Sequence, residues 1–263
     1  MKNIIKHINL PIKILVYLFE NNPIYLVPYR IFDLIRLHYV VNFKKRIISK
    51  KLFNGKQIFL FPGCNVSSLF FYTDIPDKQE IMFLRQNSNG RTVFIDIGAN
   101  VGSYSILMMD KVKNILAFEP HPYTHSRCKM NFILNGYSEK NVNQIAISDK
   151  NQKVHFSDYG GSSSINSIIQ ANNGIKVNTI TLDKFVAINK LAKSDEYIIK
   201  IDVEGFEQKV LDGAKKFINS YHIKGILFES FGNKKNIIYK FLQKNGFNIQ
   251  QISTNNHYAS KTY

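Results

Sequence analysis

The chain has 263 residues, of which 44% are hydrophobic and 13% aromatic, enough apolar material to bury a full core, which argues against disorder. Its 35 Lys and Arg residues against 19 Asp and Glu leave a formal net charge of +16, so we expect an anionic partner: a nucleic acid, a phosphorylated substrate or membrane head groups. Cys64 and Cys128 lie far apart, which excludes a disulfide scaffold or a cysteine zinc site and favours a cytoplasmic location.

The positive charge is concentrated near the N-terminus. Residues 1–56 hold 11 Lys and Arg against two acids, a net charge of +9, and the remaining 207 residues contribute +7. We expect neither a secretory signal nor a membrane-spanning helix here, because the apolar runs are short and are broken by charged residues and prolines. One apolar helical face is predicted from residues at helical spacing, namely Ile31, Leu34, Ile35 and His38, widened by Phe32 and Tyr39.

Two interpretations of this basic region stay open. Its helices pack on the main domain and help to enclose a substrate, or they form an amphipathic surface that rests on an anionic membrane and holds the protein at the membrane periphery. The basic cluster fits both interpretations and consists of Lys44, Lys45, Arg46, Lys50 and Lys51.

From about residue 91, short β-branched runs alternate with helical stretches, which is typical of a parallel sheet with crossover helices. The predicted strands are Thr92–Asp96, Ile115–Glu119, Val142–Ile147, Tyr197–Asp202 and Ile223–Glu229. The predicted helices are Ser103–Lys111, Tyr123–Asn135, Phe206–Asp212 with an extension towards Phe217, and Lys235–Lys244. The runs Asn248–Ser253 and His257–Tyr263 predict a closing hairpin, and the Gly-, Ser- and Asn-rich stretch 160–174 predicts a loop.

The first of these strands ends in an acid, Asp96, and the chain then turns through Gly98, Asn100 and Gly102 into a helix. Glycine has no Cβ that would obstruct a tight turn, and asparagine is a non-glycine residue that tolerates a left-handed backbone conformation. Such a turn leaves space for a ligand at the carboxyl edge of the sheet. Asp96 argues against a dinucleotide, because a carboxylate repels a diphosphate, whereas it can contact the ammonium group of a cationic ligand such as S-adenosylmethionine.

A second acid supports a nucleoside ligand. Glu119 follows Gly98 by 21 positions, about the separation at which an acid accepts hydrogen bonds from both ribose hydroxyls of an adenosine. Pro120 holds Glu119 in an extended conformation. The glycine turn with Asp96 before it and Glu119 after it therefore predicts S-adenosylmethionine as the cofactor.

Five motifs carry a family resemblance. They are F-I-D-I-G-A-N-V-G at 94–102, F-E-P at 118–120, T-I-T-L-D at 179–183, K-I-D-V-E-G-F-E at 200–207 and V-L-D-G-A at 210–214. Together they resemble the FkbM family of S-adenosylmethionine-dependent methyltransferases over residues from about 91 to 230. The resemblance implies a class I methyltransferase fold, which is an α/β Rossmann-like seven-stranded sheet, and transfer of a methyl group to a hydroxyl, often on a sugar or a secondary metabolite.

The resemblance also implies residue roles, and the charge distribution and sequence pattern divide the chain. The residues implied around the methionine part of the cofactor are Asp96, Gly98, Asn100 and Gly102, and Ala99 in the same turn is also predicted to bind the cofactor. Glu119 is implied on the ribose, and Ala146 and Ser148 near the adenine. The chain then divides into a basic helical extension (1–56), a connecting segment (57–90) and the cofactor-binding methyltransferase domain (91–263).

Methyl transfer to an aliphatic hydroxyl needs the oxygen in line with the methyl group and benefits from a base. Asp202 is predicted to end the fourth strand beside the methyl group, and Glu204 follows two residues later. Both are predicted catalytic residues, with Asp202 favoured as the base or orienting acceptor. Glu204 also begins the next predicted helix, where the dipole favours an acid, so a structural role stays open. A minority hypothesis groups Asp202, Glu204 and Glu229 as ligands of Mg²⁺, but we predict no metal site.

We therefore predict an O-methyltransferase that acts on a sugar, a glycan or another small metabolite, and the basic charge allows this acceptor to be phosphorylated or lipid-linked. Two alternatives remain: an RNA methyltransferase that uses the basic N-terminal region, and a membrane-docked binding module without catalysis. The cluster at 44–51 has no aromatic residue between its basic ones, which makes nucleic acid the less favoured partner. The arrangement of Asp96 and Glu119 argues against a purely binding module.

Overall fold

The computed structural model describes residues 23–158, 174–230 and 234–261, with short pieces at 16, 18–19 and 168–169. The elements before the large sheet are α1 (Val27–Leu37), which continues as a π-helix at His38–Phe43, a hairpin of β1 (Ile48–Lys51) and β2 (Gln57–Leu60), α2 (Asn65–Tyr72) and α3 (Lys78–Asn87). The predicted boundary between the extension (1–56) and the connecting segment (57–90) falls at the turn of this hairpin. None of the described helices is long and apolar enough to span a membrane.

Most of the remaining elements alternate between strands and helices, but one run of five consecutive strands interrupts this pattern. In chain order they are β3 (Thr92–Ile97), α4 (Ser103–Met108), β4 (Asn114–Phe118), α5 (Pro122–Leu134), β5 (Val142–Asn143), β6 (Ala146–Ile147), β7 (Lys153–Phe156), β8 (Ile168–Ile169), β9 (Ile175–Ile180), α6 (Leu182–Ile188), β10 (Glu196–Ile201), α7 (Glu207–Asp212), α8 (Lys215–Ser220), β11 (His222–Glu229), α9 (Lys234–Lys244), β12 (Asn248–Gln251) and β13 (Asn256–Ser260). Short 3₁₀-helices lie at Ile24–Leu26 and Glu139–Asn141.

The large sheet has the strand order β12-β13-β11-β10-β3-β4-β5. Strands β5, β4, β3, β10 and β11 run parallel, and β13 lies antiparallel between β11 and β12. This order is the seven-stranded class I methyltransferase fold that the sequence predicts. Every residue of β3 and β10 is buried, because a parallel sheet is covered by helices on both faces.

The side chains of β3 alternate between two apolar clusters, one on each face of the sheet. Phe94 packs with α2–α5 through residues such as Phe70, Leu84 and Phe132. Val93, Ile95 and Ile97 pack with α6–α9, where the large side chains are Phe185, Phe217 and Leu242. This alternation with period 2 fixes which face of the sheet each side chain covers, and the parallel pairing of β3, β4 and β10 brings their carboxyl ends to one edge.

Several predicted elements are corrected by the structure. The stretch Val142–Ile147 is two short strands in different sheets, because β6 pairs with β9 in a four-stranded sheet of order β6-β9-β7-β8. The helix predicted to extend towards Phe217 ends at Asp212, and α8 is separate. Gly213 lies between them, where a Cβ would come within 2.0 Å of the Ser148 carbonyl oxygen. Most of the predicted loop at 160–174 lies outside the described residues.

The apolar face predicted for the first helix is confirmed only in part, because Leu34 packs against the core but other members of that face are exposed. Phe32 and Ile35 are each 64% exposed, whereas Val27, Leu37 and Val41 are buried. The sequence carries two apolar stripes at helical spacing, and periodicity alone does not say which of them points inward. Ion pairs decide the orientation: Arg30 and Lys50 on the inner side both pair with Asp74, which follows α2.

Candidate active site

The turn after β3 has the conformation that its residue types predict. Gly98, Asn100 and Gly102 all have left-handed backbones, with φ of +78°, +52° and +85°. The N–H groups of Gly98 and Ala99 both donate to the Phe118 carbonyl at 3.0 Å, which ties the turn to the end of β4. A Cβ on Gly98 would lie 1.9 Å from the backbone oxygen of Asp202. Only glycine therefore allows the ends of β3 and β10 to approach this closely.

A cavity opens where β3, β4 and β10 end. The predicted site residues that line it are Gly98, Ala99, Asn100, Glu119, Ala146, Asp202 and Glu204. Much of the facing wall comes from outside the large sheet, with Val66 and Leu69 of α2 on one side and Phe156 and Ile168 of the small sheet on the other. The strand-end residues and a second, largely apolar wall therefore enclose one space.

Three predicted cofactor-binding residues are not among the described residues that line this cavity. Gly102 packs under the turn, where a Cβ would meet the sulfur of Cys128 at 2.9 Å. Ser148 is buried, and its hydroxyl donates to Asp149 at 3.0 Å. Asp96 has no exposed surface and accepts a hydrogen bond from the Ser105 hydroxyl at 2.7 Å. These positions support the turn and the strand ends from below.

Lys200 connects the two sides of the site. This buried side chain donates to the Gly98 carbonyl at 2.9 Å, and its Nζ lies 3.4 Å from Asp96 Oδ1 and 3.3 Å from Asp202 Oδ2. Burial alone would lower the pKa of Lys200, but the carboxylates of Asp202 and Asp96 more than offset it and raise that pKa above its usual value. One ammonium group thus holds the glycine turn and two carboxylates together.

Glu119 faces the cavity with little exposed surface. Its carboxylate accepts hydrogen bonds from the backbone N–H groups of Asn100 at 3.0 Å and His121 at 2.9 Å. Burial raises the pKa of Glu119 to about 7, although these two hydrogen bonds act in the opposite direction. The acid that the sequence places on the ribose is therefore fixed at the end of β4, next to the glycine turn.

Acidic side chains collect on the side of the cavity where β10 ends. The Asp202 side chain is 43% exposed. The pKa of Glu204 is raised mainly by burial and secondly by the nearby Asp202 carboxylate. Burial and then Asp202 also raise the pKa of Glu229, to about 7. Asp77, which accepts from the Tyr104 hydroxyl at 3.2 Å, has its pKa raised by burial and then by Glu80. Among the described residues, no group of three or more His, Cys, Asp or Glu side chains is arranged to hold a metal ion.

Glu204 does not begin a helix, in contrast to the sequence expectation. Helix α7 starts at Glu207, whose carboxylate accepts from the Gly205 N–H at 2.9 Å. Glu204 lies in the preceding turn, exposed, with a left-handed φ of +52°. A helix-dipole role therefore applies to Glu207, and Glu204 occupies a conformation that is costly for glutamate and is typical of functional sites.

Sequence reasoning gave no role to three residues of this site: Lys200, Tyr104 and Asp77. Lys200 had a detectable signal, because a lysine in the middle of an apolar strand must find a charge partner when it is buried. The Tyr104 ring lies 5.0 Å from the Lys200 ammonium. Asp77 precedes α3, outside all five motifs, and no local pattern distinguishes it.

Comparisons with known proteins relate this chain to a methyltransferase family. The family model described as "Methyltransferase FkbM domain" matches residues 96–249, more than half of the chain. The hexuronic acid methyltransferase AglP of Haloferax volcanii is 23% identical over 162 residues, which cover 59% of this chain and 64% of that protein, less than two thirds of its length.

Solved structures with similarity to this chain include two methyltransferases. The precorrin-6y C5,15-methyltransferase from Geobacter metallireducens GS-15 is 13% identical, with a TM-score of 0.42 over 70% of this chain and 89% of that chain. An rRNA methylase from Streptococcus thermophilus is 10% identical, with a TM-score of 0.43 over 72% of this chain and 98% of that chain.

Proposed function

Since the chain belongs to the FkbM methyltransferase family and uses S-adenosylmethionine as its methyl donor, we propose that it methylates a hydroxyl group of a sugar or glycan. The observation that carries this proposal is the half-exposed Asp202 carboxylate, which lines the cavity between the cofactor turn and the apolar facing wall. The relative AglP, by its name a methyltransferase of hexuronic acid, supports the sugar class.

The cavity fits the cofactor. S-adenosylmethionine supplies an electrophilic methyl group on a sulfonium. The Glu119 carboxylate is proposed to accept hydrogen bonds from the ribose hydroxyls, and Gly98, which has no side chain, is proposed to let the ligand approach the backbone of the turn. Ala146 and Ile147 add a small apolar wall for the adenine. Asp96 acts from below the cavity, through Lys200, and not by direct contact with the ligand.

The acceptor side carries the proton chemistry. Asp202 is proposed to accept the proton of the attacking hydroxyl or to orient this hydroxyl by a hydrogen bond, and Glu204 is proposed as a second proton acceptor. The surrounding carboxylates favour an uncharged hydroxyl as the group that lies beside the transferred methyl group.

The experiment is incubation of the full chain with methyl-labelled S-adenosylmethionine and a panel of nucleotide sugars, lipid-linked glycans and RNA. We expect label in a sugar-containing acceptor that alkali does not release, because an ether survives alkali and a methyl ester does not. A hexuronic acid offers both a carboxylate and hydroxyls, so the alkali step separates the two products. Label found only in RNA, or label released by alkali, would overturn the proposal.

A further inference from the structure

We propose that the outer face of the N-terminal helices docks on an anionic lipid bilayer. This face, called here the aromatic stripe, consists of Tyr25, Tyr29, Phe32, Tyr39 and Phe43. The inference concerns where the enzyme works and does not depend on which acceptor it methylates.

The aromatic stripe is unusually exposed for apolar side chains. Tyr25 is 77% exposed, Phe43 is 72% and Phe32 is 64%. Ten of the sixteen exposed large hydrophobic side chains among the described residues lie within 19–53, whereas the other six are spread over 82–237. Single exposed apolar residues need no explanation, but such a concentration marks an interaction surface.

The spacing of the stripe shows why it cannot be buried along with the inner face. Its members recur every three or four residues, with Arg36 completing the series between Phe32 and Tyr39. The inner face of the same helices buries Val27, Leu37 and Val41. These helices are apolar on two faces, and only the inner face packs on the protein. The outer face is therefore available to a second apolar environment.

Ion pairs fix the orientation of the stripe relative to the active site. Lys50 lies 3.0 Å from Asp74 and Arg30 pairs with the same carboxylate, so α1 is fastened to the loop that follows α2. Helix α2 supplies Val66 and Leu69 to the cavity, whereas no described residue of α1 lines it. The stripe therefore does not enclose the substrate, and it lies one helix away from the acceptor wall.

The charge around the stripe selects an anionic bilayer as the occupant. Residues 23–56 contain eight Lys and Arg against one acid. Lys44, Lys45 and Arg46 are exposed where the stripe ends, and the Lys44 ammonium lies 5.4 Å from the Tyr39 ring. Aromatic side chains beside basic ones are the composition of helices that lie in the interface of acidic membranes. A second copy of the chain fits less well, because a two-fold interface would place these cations against their own copies.

The test is flotation of the full chain with vesicles of phosphatidylcholine alone, and with vesicles in which about a third of the lipid is phosphatidylglycerol. We expect binding only to the anionic vesicles. Replacing Phe32, Tyr39 and Phe43 together by serine should abolish it, whereas the matched control with Ile133, Ile188 and Ile237 replaced by serine should bind like the wild type. Replacing Lys44, Lys45 and Arg46 by glutamine should lower the partition coefficient on the order of a hundredfold, and the control with Lys111, Lys140 and Lys150 replaced should not.

Cofactor binding and circular dichroism establish that each variant is folded, so a loss of flotation reports on the surface itself. Equal binding to neutral and anionic vesicles, or equal loss in both serine triples, would overturn the proposal. So would a chain that is dimeric in light scattering and becomes monomeric in the stripe variant without any vesicle binding by the wild type, because a second copy would then cover the stripe.

Discussion

Lys200 and Asp96 are paired in register on adjacent parallel strands, and the Lys200 ammonium lies 3.4 Å from the Asp96 carboxylate. Both side chains are buried, and the same ammonium donates to the carbonyl of Gly98. The pair therefore fixes the cofactor turn from beneath. A charge taken out of water at this position is tolerated because its partner is present.

Replacing Lys200 by methionine should destabilise the protein by about 3 kcal/mol, because it leaves the buried Asp96 carboxylate without a counter-charge. The double variant Lys200→Met/Asp96→Asn should recover part of this loss, since it removes the uncompensated charge as well. Urea unfolding measures both. As a control, Lys215→Met breaks the exposed ion pair of Lys215 with Asp212 and should cost less than about 1 kcal/mol. Equal effects of the two single variants would refute the structural role of Lys200.

Gly98→Ala should abolish S-adenosylmethionine binding. Its Cβ would meet the backbone oxygen of Asp202 at 1.9 Å, so the turn or the end of β10 must move. Gly55→Ala is the matched control, because Gly55 has the same φ of +78° and has no atom within 4 Å of the added Cβ. Both variants should lose about 1 kcal/mol from the left-handed conformation, but only Gly98→Ala should lose the cofactor in calorimetry.

Cofactor binding should strengthen as pH rises through about 7. Glu119 has a pKa of about 7, and the ionised carboxylate is the better acceptor for ribose hydroxyls. Between about pH 6 and about pH 8, calorimetry should show up to a tenfold change in affinity. The Glu119→Gln variant should bind the cofactor with an affinity that no longer depends on pH in this range. In the wild type, the pKa of Glu229 is also raised to about 7, so Glu229→Gln is the matched control and should retain the pH dependence. If the affinity of Glu119→Gln still depends on pH, the group that titrates is not Glu119.

The free energy of unfolding should decrease as pH rises, in contrast to the cofactor affinity, which should increase. The pKa of Glu119 is raised in the folded chain from 4.5 to about 7, so the folded state binds a proton that the unfolded state has released. The resulting stabilisation is fully present below about pH 4.5 and is lost as pH rises through about 7, and it amounts to at most about 3 kcal/mol. Urea unfolding of the wild type and Glu119→Gln across this range measures the difference.

Glu204→Asn separates the conformation of Glu204 from its charge. Asparagine adopts the left-handed backbone readily, so we expect the free energy of unfolding to stay within about 0.5 kcal/mol of the wild type. If the carboxylate helps to receive the proton, kcat should fall by about tenfold or more, with cofactor affinity unchanged. An unchanged kcat would leave Glu204 with a purely structural role.

The large sheet was predictable from the sequence, because its strands are short apolar runs between helical patterns, and the glycine turn carries its own conformational signal. The small sheet was not, since β7 and β8 are short and β9 directly follows the Gly-, Ser- and Asn-rich stretch that predicts a loop. The walls supplied by Val66 and Phe156 arise from tertiary packing and leave no local pattern. The orientation of α1 was predicted only in part for a related reason: the ion pair between Arg30 and Asp74 joins residues 44 positions apart.

The most direct test compares the wild type with Asp202→Asn for transfer of labelled methyl from S-adenosylmethionine to the sugar acceptor, with cofactor binding measured in parallel. We expect the wild type to give an alkali-stable methylated sugar. Asp202→Asn should bind the cofactor normally while its kcat falls on the order of a hundredfold. Undiminished kcat in Asp202→Asn, or a wild type that labels RNA and no sugar, would contradict methyl transfer to a sugar hydroxyl at this cavity.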